Sequence, residues 1–149
     1  MLDIKVDDKA FRASLTKLYK GLADLTPVMQ GIGMALESKV SSRFETRNDP
    51  NGKGWAPWAQ ATIDSYPEDG NRRLLDRYGD MLLSLNHKAD AKSVRVGFGQ
   101  PYATFHEFGT ENMPRRGLLF ADPDGGTLGA GDEVALLDVL EIYLNDLTA

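Results

Sequence analysis

The sequence predicts an α+β protein in which N-terminal helices and a C-terminal helix pack on a small, mainly antiparallel sheet. Apolar residues recur at helical spacing near both ends of the chain, and a short stretch around residue 96 alternates as a strand does. No strand–helix–strand repeat accompanies them, so a parallel sheet is not expected. A length of 149 residues suits one core. We therefore predict a single domain over residues 1–149, with a helical N-terminal part at about residues 8–47.

Two amphipathic helices are predicted first. One spans about residues 9–24, with Asp7 or Asp8 placed to cap it. Thr26 is the predicted N-cap of the second, and Pro27 follows it at the first helical position. Each helix needs an apolar partner for its stripe. The stripes are Phe11, Leu15, Leu18, Leu22 and Leu25 in the first helix, and Val28, Ile32, Leu36, Val40 and Phe44 in the second.

The middle of the chain mixes turns with short elements. Residues 48–54 contain the turn-forming residue types and precede Trp55 and Trp58, which predicts an ordered loop with aromatic anchors. We expect a short helix at residues 59–66, which ends at Pro67. A second helix is expected at residues 72–85, supported by the spacing of Leu74, Tyr78, Leu82, Leu83 and Leu85.

The clearest strand signal comes later, at residues 93–99, where Val94, Val96 and Phe98 share one face. Residues 102–108 are ambiguous, although Gly109 suits a helix C-cap.

The C-terminal part contains one further possible strand and one strong helix. The strand is predicted at residues 117–121, and the glycine-rich stretch at residues 122–131 is predicted to be mobile. Asp132 is the predicted cap of the final helix. Because few strands are available, the sheet should have exposed edges unless loops or neighbouring molecules cover them. The apolar residues of the final helix are Leu136, Leu137, Leu140, Tyr143, Leu144 and Leu147.

Composition and charge exclude several classes of protein. The apolar runs are too short to cross a bilayer, and the N-terminal residues do not resemble a secretory signal, so we expect the chain to stay in the cytoplasm where it is made. The absence of cysteine excludes disulfides and thiolate zinc sites. A net charge of −5 does not favour sequence-specific binding of nucleic acid.

The charges are unevenly distributed along the chain. Residues 121–149 contain acids and no Lys or Arg, whereas basic residues cluster near the start. Two interpretations are open: solvated helix faces, or complementary edges between neighbouring subunits of a homo-oligomer. The basic residues are Lys9, Arg12, Lys17 and Lys20, and the acids are Asp122, Asp124, Asp132, Glu133, Asp138, Glu141 and Asp146.

No enzyme motif is complete. His106-Glu107 matches the start of a zinc-protease signature, but Thr110 stands where the second histidine is required. The loop at residues 49–54 resembles the start of a calcium-binding loop and lacks its bidentate glutamate. His87, among polar neighbours, is expected to be solvated, and His106 to be half-buried. We predict no catalysis, cofactor or metal; the alternative is a small metal-dependent hydrolase that uses His106 and Glu107.

Several short sequence motifs follow one another in a recognisable order between Phe44 and Arg116. They are Phe44 and Arg47 with the loop at residues 49–55, Thr62, the leucine-rich residues 74–82, Val94-Arg95-Val96-Gly97, Tyr102-Ala103, His106-Glu107-Phe108-Gly109-Thr110 and Met113-Pro114-Arg115-Arg116. In this order they resemble the phage virion morphogenesis family, the tail-completion and neck proteins of Mu-like phages and related prophages. That family usually continues with a proline-aromatic pair after Pro114-Arg115. Residues 116–120 stand here instead, so the strand there is expected to start or pack differently.

The resemblance implies a structural role. Several copies of the chain would form a ring at the neck or tail top, contact a tail-terminator or head-connector protein, and make the completed tail competent to join a filled head. The implied location is the virion, after assembly in the host cytoplasm.

The predicted interface residues lie in the stretch that carries the resemblance, and most of them are aromatic residues or arginines. The tryptophans would be lids of the core or interface anchors, and the arginines would pair with carboxylates of a neighbouring subunit or lie on a solvated surface. The candidate interface residues are Trp55, Trp58, Tyr102, His106, Glu107, Phe108, Arg115 and Arg116.

Overall fold

The computed structural model of the protein describes residues 9–66, 68, 70, 74–76 and 78–148. Within them, helices surround one antiparallel pair of strands, which confirms the α+β class. None of the described helices is both long and apolar enough to span a membrane. In chain order the elements are α1 (Lys9–Ala23), α2 (Thr26–Thr46), α3 (Gln60–Ser65), α4 (Asp80–Leu83), β1 (Leu85–Ala89), β2 (Val94–Phe98), α5 (Ala103–Phe108) and α6 (Ala130–Thr148).

Helix α2 is the central element and packs against both α6 and the β1–β2 hairpin. In the hairpin, Leu85 is paired with Phe98 and Ala89 with Val94. At Gly33 the hairpin comes so close that a β-carbon would overlap the ring of His87. The predicted stripe of α2 is buried except for Leu36, which is half-buried; its fully buried members are Val28, Ile32, Val40 and Phe44.

The main apolar core lies beside the end of α2. Phe44 and Trp55 meet edge to face, with ring centroids 5.7 Å apart. The loop that carries Trp55 is ordered as predicted: Asn48 bridges Gly54 across it, and the Asp49 carboxylate accepts hydrogen bonds from two main-chain amides of the loop. The other buried members of this core are Leu74, Met81, Ala103 and Leu118.

The prediction of a helix at residues 72–85 is wrong for the described residues. Leu74 and Leu75 lie in a turn, and only Asp80–Leu83 is helical. Leu75 and Gly79 have φ angles of 60° and 85°, which a continuous right-handed helix does not allow. Leu85 is the first residue of β1, a strand that the sequence analysis did not predict. Leu74 and Leu75 reach the core from a turn, and Leu85 reaches it from the first position of β1. The helical spacing of these leucines therefore did not indicate a helix.

Helix caps differ from prediction in two places. Thr26 is the first residue of α2, and Asp24 supplies the accepting carboxylate, at 3.0 Å from the Thr26 amide and 2.6 Å from its hydroxyl. Helix α6 begins before Asp132, so Asp132 is not its cap. Asp7 and Asp8, the predicted caps of α1, lie outside the described residues.

Residues 122–127, predicted to be mobile, form a turn in which the main chains of Asp122 and Thr127 bond to each other.

Helix α1 packs on the C-terminal part of α6. The Tyr143 hydroxyl donates to the Gly21 carbonyl at 2.7 Å, and the Lys17 ammonium donates to the Asp146 carbonyl at 3.0 Å. Much of the predicted stripe of α1 nevertheless remains exposed: Leu15 keeps 48% of its surface and Leu22 keeps 47%. The stripe therefore lacks a complete partner within the described part of the chain.

Candidate functional site

A groove of about 530 Å³ lies between α3, α4, α5 and the loop that follows α5. One wall is aromatic: the rings of Trp58 and Tyr66 are 4.6 Å apart. On the rim, Tyr78 is 53% exposed and Tyr102 is 40% exposed. The predicted interface residues that line the groove are Trp58, Tyr102, His106 and Arg116.

Tyr66 and Tyr78 were not among the predicted site residues, although they belong to this groove. Both lie within segments predicted to be helices, at residues 59–66 and 72–85, where an aromatic residue gives no signal of a shared surface. Partial burial raises the pKa of the rim residue Tyr102, and the negative charge of Asp80 adds to this shift. The phenol therefore stays neutral and keeps its hydroxyl proton at physiological pH.

His106 is half-buried in this groove, as predicted. Its Nδ1 atom is buried and has no hydrogen-bond partner in the structure. Burial lowers the pKa of the imidazole below its usual 6.5, and the positive charge of Arg116 lowers it further. The neutral ring is therefore the stable form at neutral pH.

The depressed pKa of His106 predicts an acid-dependent loss of stability. In the unfolded chain His106 takes up a proton near pH 6.5, whereas in the folded protein it resists protonation until lower pH. The free energy of unfolding should thus fall as pH decreases below about 6.5, and the fall should be smaller in a His106→Gln variant. Urea titrations at several pH values between 7.5 and 5 measure this difference. Identical pH slopes for the two proteins would contradict the assignment.

Arg116 supports the groove from below. It is buried, and its Nε and Nη2 atoms donate to the carbonyls of Ala56 and Pro57, each at 2.8 Å. This guanidinium fixes the loop that carries Trp58. Arg116 is predicted to lie at a subunit interface or on a solvated surface, and its burial shows that the second alternative is wrong. The structure instead gives it main-chain partners within its own chain.

Glu107 faces away from bulk solvent and binds the chain after α5. Its carboxylate accepts the amides of Leu118 (2.7 Å), Leu119 (2.9 Å) and Phe120 (2.9 Å). The side chain is buried, with 4% of the residue exposed. The predicted strand at residues 117–121 is wrong, because a carboxylate takes the amides that a neighbouring strand would otherwise bind.

Two arginines and a tryptophan complete the support of this segment. Arg115 donates from Nε to the Glu107 carbonyl at 2.7 Å and from Nη2 to the Phe120 carbonyl. Arg43 donates to the Leu118 carbonyl at 2.6 Å. The Trp55 indole donates to the Gly117 carbonyl at 3.0 Å, so Trp55 acts as a core lid rather than an exposed anchor. We call residues 117–120 the clamped segment.

A glycine allows α5 and the clamped segment to approach. Gly109 ends α5 with φ 75° and ψ 170°, and a β-carbon there would lie 2.9 Å from the Arg115 amide nitrogen. A Gly109→Ala variant should lose about 1–3 kcal/mol of stability, since this backbone region is nearly specific to glycine. Thermal unfolding against the control Gly131→Ala, where a β-carbon meets open space inside α6, measures the loss. Equal melting temperatures for the two variants would contradict the expected strain.

The residues of the proposed hydrolase do not assemble into a metal site. The carboxylate of Glu107 is occupied by three amides, whereas His106 lines the groove. Among the residues that the structure describes, no group of three or more His, Cys, Asp or Glu side chains could hold a metal ion. The expectation for His87 is corrected: it is half-buried, and its Nδ1 lies 2.5 Å from Glu37 Oε2.

The predicted site residues therefore divide by exposure: three are buried, three are half-buried and two are exposed. The half-buried residues are Trp58, His106 and Arg115. Trp55, Glu107 and Arg116 are buried and hold the loops in place. Tyr102 and Phe108 reach the surface, and Phe108 is 50% exposed. Phe105, which is 56% exposed, was not among the predicted site residues. It lies two positions after the Tyr102-Ala103 motif, and that position could have indicated it. Contact of any of these residues with another protein stays a prediction.

Comparison with known proteins identifies the family. Residues 6–145 match the sequence profile of the phage virion morphogenesis family, which covers nearly the whole chain. The chain belongs to the phage virion morphogenesis family. This confirms the resemblance inferred from the order of motifs between Phe44 and Arg116. A curated relative, "Mu-like prophage FluMu G protein 2" of Haemophilus influenzae, is 23% identical over 151 residues that cover 96% of each chain. No solved structure matches the sequence.

As a member of the phage virion morphogenesis family, the protein has a structural or assembly role in making phage particles. Its internal clamps explain several motif residues of this chain. Trp55, Glu107, Arg115 and Arg116 hold loops together within one molecule, and the exposed aromatic rim beside them is left available for contact.

Proposed function

We propose that this protein acts at the head–tail junction of a phage or prophage particle, where it completes the tail and allows it to join the head. The observation that carries the proposal is family membership over residues 6–145, together with a relative from a Mu-like prophage. The protein would work as a ring of several copies that contacts a tail-terminator or head-connector protein. It would be made in the host cytoplasm and retained in the finished virion.

Exposed apolar side chains support an assembly role. A single chain leaves large apolar residues uncovered on α1, α5 and α6, among them Tyr19 (77%), Phe105 (56%) and Ile142 (63%). Surfaces of this kind on separate elements are typical of proteins that bury them against other chains. Several distinct contact surfaces suit a protein that must bind both its own copies and a different ring.

The groove on α5 is the proposed contact with the different ring. Aromatic residues provide large buried contact area at low conformational cost, and they dominate the binding energy of interfaces. Tyr78 and Tyr102 lie on the rim, and Arg116 fixes the loop beneath it. Phe105, three positions after Tyr102 on α5, is exposed as well. The rigid support from the clamped segment would keep this rim in one shape before the partner arrives.

Removal of the protein from the phage that encodes it tests the proposed function. Electron micrographs of lysates should show filled heads and separate tails, and addition of the purified protein should restore joined, infectious particles. A Tyr102→Ser/Phe105→Ser variant should restore few of them, whereas Met34→Ser, which alters an exposed residue on α2, should restore particles normally. Joined particles in lysates that lack the protein would overturn the proposal.

A further inference from the structure

We infer that neighbouring copies of this protein bind each other through α1 of one copy and the outward face of α6 of the next. The inference rests on the proposed ring and names the surfaces that would build it. Both surfaces are apolar and exposed in a single chain, and they carry opposite charges.

Helix α1 presents an exposed apolar ridge. Leu15, Tyr19 and Leu22 follow one another at four- and three-residue steps, so they lie along one side of the helix. They keep 48%, 77% and 47% of their surface exposed. A helix of 15 residues is marginal in water on its own and depends on packing of its apolar face. The contact with α6 leaves this ridge uncovered, which indicates a further partner.

Helix α6 presents a second exposed face. Its inward side packs on α2 and α1 through residues such as Asp132 and Tyr143. Its outward side is apolar as well: Val134 and Leu137 are each 57% exposed, and Leu144 is 37% exposed. These apolar side chains lie on the side of α6 away from α2, and exposed apolar residues grouped on one face are typical of a contact surface. The outward face therefore fits a second chain.

Charge identifies which surfaces meet. Helix α1 contains Lys9, Arg12, Lys17 and Lys20 and no acid, so two copies of α1 would repel each other. Helix α6 contains no Lys or Arg, and Glu133, Asp138, Glu141 and Asp146 remain when the Asp132 pair with Arg43 is set aside. A basic helix facing an acidic helix is the complementary arrangement.

The contact is heterologous, because it joins two different surfaces. Each copy would offer its α1 ridge to one neighbour and its α6 face to the other, and a closed ring larger than a dimer requires contacts of this kind. An α1–α1 or α6–α6 contact would instead give a closed pair. The two arrangements can be separated by chemical cross-linking.

Cross-linking of single-cysteine variants tests the contact. The natural sequence has no cysteine, so each added thiol reports only its own position. Tyr19→Cys and Leu137→Cys proteins, one of them isotopically labelled, are mixed and treated with a short bismaleimide. The expected product is a two-chain species with one chain of each type, and a Tyr19→Cys/Met34→Cys mixture should give little product. Mainly like-with-like products, or equal yields with the Met34→Cys control, would overturn the inference.

A second measurement separates the inferred contact from the proposed ring. Light scattering after size exclusion should show discrete species of several copies, and Glu141→Arg should raise the concentration needed for assembly by roughly tenfold. Combining Glu141→Arg with Lys20→Glu, which reverses an exposed charge of α1, should restore assembly. Rings without the mixed cross-link would overturn this contact and leave the junction role standing. Rings that Glu141→Arg does not weaken would overturn the charge argument.

Discussion

Replacement of Glu107 by alanine is expected to destabilise the protein by about 3 kcal/mol or more. The carboxylate accepts the amides of residues 118, 119 and 120, and it is almost fully buried. Its removal leaves three main-chain donors without a partner in the clamped segment, and each buried donor left unsatisfied costs about 1–3 kcal/mol. The loss is a large part of the roughly 5–15 kcal/mol that holds an ordinary domain together.

Urea unfolding followed by tryptophan fluorescence measures this effect, because Trp55 is buried beside the clamped segment. Glu107→Gln should fall between wild type and Glu107→Ala, since an amide keeps one accepting oxygen. Glu111→Ala, at an exposed acid four positions on, is the matched control and should change stability by less than about 0.5 kcal/mol. A Glu107→Ala protein as stable as the control would show that the clamp contributes nothing.

Replacement of Asp132 by alanine is the second large effect, with an expected loss of about 3–5 kcal/mol. Asp132 lies on the first turn of α6, and its carboxylate is 2.5 Å from the Arg43 guanidinium on α2. Both side chains are buried: Arg43 is 8% exposed and Asp132 is 4% exposed. Without the carboxylate, a cation stays buried with no counter-charge, and α6 loses its polar contact with α2.

A double variant separates the stability that the ion pair contributes from the cost of leaving one of its charges buried and unpaired. Arg43→Met/Asp132→Leu removes both charges and should recover much of the stability that Asp132→Ala loses, because a buried ion pair contributes little beyond a well-packed apolar pair. Thermal unfolding of Arg43→Met, Asp132→Leu and the double variant, with the exposed Asp138→Ala as control, gives the coupling. Losses that simply add in the double variant would contradict a direct interaction between the two residues.

Elements with a strong local pattern were predictable from the sequence. Helix α2, strand β2 and helix α6 each repeat their apolar residues at a regular period, and each is present near its predicted bounds. Trp55 follows a turn-rich loop and is buried in the core, which fits the first of the two interpretations left open for it, a core lid or an interface anchor. In these cases the local pattern and the final packing agree.

Elements that depend on distant partners were not predictable. Strand β1 contains Asn86, His87 and Lys88, which have little strand propensity, and it is a strand because it pairs with β2. The leucines of residues 74–85 have helical spacing, yet the positive φ angles at Leu75 and Gly79 break the helix. Leu74 and Leu85 are buried all the same, whereas Leu83 is exposed. Tertiary packing overrides local preference at these positions.

The candidate site shows the same division. Family-like motifs indicated Glu107, Arg115 and Arg116 as important, but their partners lie up to 60 positions away in the chain. Contacts between such distant positions leave no periodic pattern in the sequence. The motifs therefore indicated these residues but not that they bind main-chain groups of their own molecule. The groove beside Tyr102 depends on the placement of α4 next to the start of α5, which no local pattern indicates.

The position of the protein in the finished particle is the most direct test of the proposed role. A small tag at the C-terminus, labelled with gold and viewed on purified virions by electron microscopy, locates the chain. The proposal predicts one cluster of label per particle, at the junction between head and tail, and none along the tail or on the head shell. Label spread along the tail, or purified infectious particles that contain none of the protein, would contradict the account.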